Sequence, residues 1–102
     1  MVYRIRQSTL AKTTFFDNIK YLEDNWSERV VISFLKKVAE ITKLIKHNPE
    51  LFPKWNENIT LRKVSILPQI TMFYKINKTT IDILLFWNNY QNPNNLIELL
   101  NK

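Results

Sequence analysis

ITMFYKINKTTIDILLFWNNYQNP, residues 70–93, is the stretch whose reading decides the fold. It opens as ITMFYKI, breaks at NKTT, resumes as IDILLFW and leaves through NNYQNP. Runs this apolar on both faces belong to strands that are covered on each side, at the centre of a sheet. The polar break between them is a tight turn. The polar exit is where a small domain would present chemistry.

Composition sets the bounds around this hairpin. A chain of 102 residues with 45% hydrophobic and 24% charged residues is expected to form one domain, residues 1–102, with a single real core. No run is long and apolar enough for a membrane span, and MVYRIRQ lacks the layout of a secretory signal, so a cytoplasmic location is expected. The chain has no cysteine and one histidine, which excludes disulfides, thiolate metal sites and multi-histidine sites. It has no glycine, so neither glycine-rich phosphate loop is available and turns rely on Asn, Asp and Pro. No cofactor and no metal are expected. The net charge of +6 points toward phosphate backbones or acidic protein partners.

Outward from the hairpin, Val2 to Arg6 alternates and predicts a half-buried strand, with Tyr3 and Ile5 on one face and Arg4 and Arg6 on the other. Ser8 or Thr9 offers an N-cap. Ala11, Phe15, Ile19, Leu22 and Trp26 then form the apolar stripe of a helix running to about Asp24. Ser27 offers a second cap. Val30, Phe34, Val38, Ile41 and Ile45 repeat the pattern, widened by Val31, Leu35 and Leu44, until Asn48-Pro49 stops the helix. Lys43, Lys46 and His47 crowd its C-terminal end, where a helix dipole favours them. Two such helices joined by a short break make an antiparallel hairpin.

PELFPKWNEN reads as a loop, and ITLRKVSI as a strand with a fault: Ile59 and Leu61 share one face while Val64 and Ile66 have the opposite parity. A bulge near Arg62 and Lys63 would repair it. Pro93 to Leu100 predicts a short terminal helix. The expected fold is α+β: an N-terminal strand, an antiparallel helical hairpin on one sheet face, then a three-stranded antiparallel meander completing one sheet.

This order, with YRIRQS, IKHNPELFPKW, LRKVSI, FYKI and IDILLFWNNYQNPNNL, resembles the RelE/ParE superfamily of bacterial type II toxins over essentially the whole chain. The resemblance implies a small basic toxin that inhibits growth and contributes to plasmid stabilization. It further implies neutralisation by a cognate antitoxin, acidic and partly disordered when free, that folds over the toxin. It allows two targets: ribosome-bound mRNA, which RelE-like members cleave, and DNA gyrase, which ParE-like members inhibit without hydrolysis. A degenerate member that only binds its antitoxin is the third alternative.

Metal-free RNA cleavage needs a base, a stabiliser of the phosphorane and an acid within hydrogen-bond reach. RelE-like toxins take these from basic residues on the second strand, an arginine entering the third, and basic or aromatic residues after the fourth. Mapped onto this chain, that pattern makes Arg62, Lys63 and Tyr90 the candidate catalytic residues. Lys54, Trp55, Lys75, Asn88 and Gln91 are candidates for contacting RNA or another target. No cation stands at Gln69 to Thr71, where the third-strand arginine is expected, and Asn88, Asn89, Tyr90 and Gln91 occupy the exit where a histidine or arginine is frequent. Each candidate also has a plainer reading: solvated strand residues for Arg62 and Lys63, a loop anchor for Trp55, and strand-ending hydrogen bonds for the amides.

Overall fold

The computed structural model describes residues 2–101. Its elements are β1 (Arg4–Gln7), α1 (Thr9–Asn25), α2 (Glu28–His47), β2 (Lys54–Trp55), β3 (Asn58–Leu67), β4 (Ile70–Asn77), β5 (Thr80–Asn88) and α3 (Pro93–Leu100). They build one five-stranded sheet in the order β1-β5-β4-β3-β2, with β1 parallel to β5 and the remaining pairs antiparallel. The β4–β5 hairpin is therefore interior, as its two-sided apolarity requires. Because the chain has no glycine, its turn places Lys78 at φ 56°, a left-handed conformation that costs a residue with a Cβ about 1–2 kcal/mol.

The helical hairpin covers one face. Ser8 caps α1 by accepting from the Ala11 N–H at 2.9 Å, and Ser27 caps α2 by accepting from the Val30 N–H. Ala11 and Leu22 of α1, and Val31, Phe34, Val38, Ile41 and Ile45 of α2, bury themselves against Val64, Ile66, Met72, Tyr74, Ile81, Ile83 and Phe86. Trp26 does not join them. The helix ends at Asn25, Trp26 leaves helical geometry, and its side chain stands 49% exposed. Leu35 and Leu44 are exposed as well, since each lies about 80–100° round α2 from the buried line.

The opposite face carries a second, smaller cluster of Trp55, Leu61, Phe73, Leu85, Trp87 and Leu96, the last supplied by α3. This cluster explains the parity fault in β3. No bulge interrupts β3 against β4 at Arg62 and Lys63, where the register runs unbroken from Arg62↔Tyr74 to Ser65↔Thr71 and shifts only between Ser65 and Leu67. Leu61 faces the second cluster while Val64 and Ile66 face the first, so both parities are apolar for different neighbours. Ile59 is exposed.

A shift does occur in the hairpin itself. Phe73 pairs with Leu85 and Tyr74 with Ile83, leaving Leu84 as the extra residue. It turns Ile83 and Phe86 toward the helices and Leu85 and Trp87 toward α3, which is why ILLFW is apolar without alternation. The loop reading of 49–58 is corrected in one detail: Lys54–Trp55 pairs briefly with β3.

Candidate functional site

The candidate residues fall into two groups. At the β2–β3 side, Arg62 is committed to the chain that follows α2. Its Nη1 donates to the Phe52 carbonyl at 2.7 Å and to that of Glu50 at 3.4 Å. Its cross-strand neighbour Tyr74 is fully buried, and its hydroxyl donates to the Pro49 carbonyl at 2.8 Å. Burial raises the Tyr74 pKa above its ordinary value, outweighing the nearby Arg62 charge, so the phenol stays a donor at neutral pH. Together the two side chains hold the 49–52 loop to the sheet. Lys63, one residue on, points to the other face and is exposed, with only its backbone N–H donating to Pro53. Lys54 is exposed opposite Arg62.

Lys75 of β4 lies opposite Asp82, whose carboxylate accepts from Arg6 Nε at 2.8 Å and Nη2 at 3.0 Å. The Arg6 hydrogen bonds hold the Asp82 pKa below its ordinary value, helped by Asn77 and Thr80 and opposed by partial burial. A carboxylate whose folded pKa is depressed stabilises the fold above its unfolded pKa, and that contribution is lost as pH falls through the folded value. Asp82→Asn is therefore expected to be less stable than the parent in urea unfolding at pH 7. The gap should narrow at pH 3; an equal gap at both values would show that the loss is not electrostatic.

At the exit of β5 the amides are engaged in ending the strand. Asn88, 8% exposed, accepts from the Tyr90 N–H at 2.9 Å, and its carbonyl accepts from the Gln91 N–H. Asn89 donates to the carbonyls of Gln69 and Pro68 and accepts from the Thr71 hydroxyl at 3.0 Å. Asn92 caps α3. Tyr90 is 66% exposed, with its ring centroid 6.5 Å from that of Tyr21. Gln91 is exposed. Trp55, only 6% exposed, packs edge-on to Phe73 at 5.0 Å, the placement of a loop anchor.

The fold brings Asn88, Tyr90 and Gln91 together and sets them apart from Arg62, Lys63 and Lys54. Lys63 is level with Phe73 and, through it, with Leu85, three residues short of Asn88. Two strand spacings across and three residues along separate the groups by about 10 Å in each direction. No cation enters at the third-strand position, where Gln69 is buried and its Oε1 has no partner among the described residues.

Two residues absent from the candidate set matter to this region. β1 covers β5 only as far as Ile83, and beyond it the outer edge of β5 is closed by side chains of α1. Thr14 Oγ1 accepts from the Phe86 N–H at 3.0 Å, and Asn18 Nδ2 donates to the Phe86 carbonyl at 2.9 Å. The signal in the sequence was an asparagine at stripe spacing, between Phe15 and Leu22, where a buried polar group must have a partner.

No family model matches the sequence, and no curated protein matches it. Solved structures do. A chromosomal ParDE TA system from P. aeruginosa superposes with a TM-score of 0.70 at 9% identity, covering 85% of this chain and 96% of that one. The YoeB dimer from Staphylococcus aureus gives 0.59 at 22% identity, covering 88% and 100%. The E. coli DinJ-YafQ toxin-antitoxin complex gives 0.58 at 12% identity, covering 86% and 93%. The likeness is one of fold. This chain has the fold of the ParDE, YoeB and YafQ structures, as the resemblance implied.

Proposed function

We propose that the protein is the toxin of a type II toxin–antitoxin module, acting in the cytoplasm and held inactive by a cognate acidic antitoxin. The observation that carries this reading is the fold shared with ParDE, YoeB and YafQ structures over more than four-fifths of the chain. The net charge of +6 adds to it, because a basic surface suits an acidic, partly disordered partner that folds on binding.

Of the two targets, inhibition of DNA gyrase by binding is favoured over RNA cleavage. Proton transfer at a phosphodiester needs its groups within hydrogen-bond reach of one site. Here Arg62 is engaged with Glu50 and Phe52, while Tyr90 lies two strands away. Exposed Lys54 and Lys63 and half-buried Lys75 are left as contact groups for the target rather than as a catalytic set.

Induced expression is expected to arrest growth, and co-expression of an adjacent antitoxin frame to restore it. In arrested cells, messenger RNA should stay intact while DNA-damage signalling rises. Absence of arrest overturns the toxin reading and favours the degenerate, antitoxin-binding one; codon-phased cuts in messages overturn the choice of target.

A further inference from the structure

A cavity of about 280 Å³ opens between α1, the end of β5 and α3, bordered by Asp17, Asn18, Tyr21, Trp87, Asn88 and Gln91. Its polar groups have fixed polarity. Asn18 is 4% exposed and spends both hydrogens of Nδ2 on the carbonyls of Thr14 and Phe86, which leaves Oδ1 as an acceptor with no partner among the described residues. Asn88 is nearly as buried and spends Oδ1 on the Tyr90 N–H, which leaves Nδ2 as an unused donor. Gln69 Oε1 is the one buried side-chain atom without a partner among the described residues, so both of these atoms are open to solvent, where a ligand competes with water for them.

The charge of the cavity runs against that of the protein. The chain carries a surplus of six cations, yet among the described residues no Lys or Arg borders this cavity. Among the described residues its one charged group is the Asp17 carboxylate, which takes no part in the ion pairs found there: Arg6–Asp82, Lys20–Asp24 and Lys37–Glu40. A phosphate or carboxylate ligand would find no counter-charge. A cation would find a carboxylate, a free carbonyl acceptor and two aromatic side chains.

We propose that this cavity receives an arginine side chain presented by a protein partner. A guanidinium is planar, always charged and carries only donors, so it can pair in a fork with Asp17 and stack on Trp87 or Tyr21. The donor at Asn88 Nδ2 is matched by the main-chain carbonyl that the incoming residue brings. A lysine ammonium, compact and strongly hydrated, uses neither the fork nor the rings. The volume lies just below the range of about 300–1,000 Å³ for drug-sized ligands and suits a single side chain.

The inference rests on the reading that a protein partner covers this chain, but its test needs no partner. The probe is N-acetyl-arginine methylamide, titrated into the labelled protein while the Trp87 indole N–H and the side-chain amides of Asn18 and Asn88 are followed by NMR. Saturable shifts confined to these groups are expected, weakened at least tenfold for the citrulline and lysine counterparts and for Asp17→Asn with the arginine probe. The citrulline comparison uses the unaltered protein, so it stands whether or not the variant folds. Absence of saturation, or equal binding of citrulline, overturns the proposal. Saturation by guanosine in place of the arginine probe overturns it in favour of a nucleobase site. Neither result bears on growth arrest, and absence of growth arrest leaves the titration unchanged.

Discussion

Phe34→Ala is expected to destabilise the protein by about 3–5 kcal/mol, the range for emptying a fully buried aromatic position. Phe34 has no exposure and sits where α1, α2 and β5 meet. Its ring centroid lies 5.4 Å from that of Phe15 and 6.0 Å from that of Phe86, and Phe15 and Phe86 are themselves 5.3 Å apart. The three rings pack mutually, so truncating Phe34 takes one ring partner from each of the other two and leaves a cavity that relaxation closes only in part. Domains of this kind hold only about 5–15 kcal/mol in total, so the variant should be partly unfolded near 37 °C. Phe16 supplies the control. It adjoins Phe15 in sequence but is exposed, and Phe16→Ala should cost under about 1 kcal/mol. Chemical denaturation of both measures the contrast; similar losses would mean that the helical hairpin does not pack through Phe34.

Much of this packing was legible because it obeys a period. Phe34, Val38, Ile41 and Ile45 repeat at helical spacing, and the two-sided apolarity of β4 and β5 states that they lie between other strands and under two layers. What escaped was local and depended on neighbours. Trp26 fits the stripe arithmetically, but the helix stops one residue earlier and turns it outward. The parity change in β3 reads as a bulge against a single core, while α3 and Trp55 build a second core on the other face. The real shift, at Leu84, leaves no trace in a run where every residue is apolar. Among the candidate site residues, Trp55 was ambiguous from its polar loop, and Phe73 decides its position. The roles of Thr14 and Asn18 depend on where β1 ends against β5, a tertiary fact.

The pair Arg62 and Lys63 separates structure from function most sharply, because the resemblance gives these adjacent cations one role. Arg62→Met should cost about 1.5–3 kcal/mol, the usual loss for a hydrogen bond to a charged donor, since the Glu50 and Phe52 carbonyls lose their partner in a half-buried place. Tyr74, which holds Pro49 beside them, cannot substitute, because its hydroxyl is already engaged. Lys63→Met should change stability by less than about 0.5 kcal/mol, as for an exposed strand residue without a side-chain partner. Toxicity should divide the opposite way. If Lys63 contacts the target, its variant loses growth arrest while remaining as stable as the parent, and Arg62→Met loses arrest only in proportion to the folded fraction. Arg62→Lys refines the comparison, since a lysine keeps the charge but lacks the guanidinium's planar fork of donors. A stable Arg62→Lys protein that no longer arrests growth would place Arg62 at the target, and the loop contacts would then be secondary to that role.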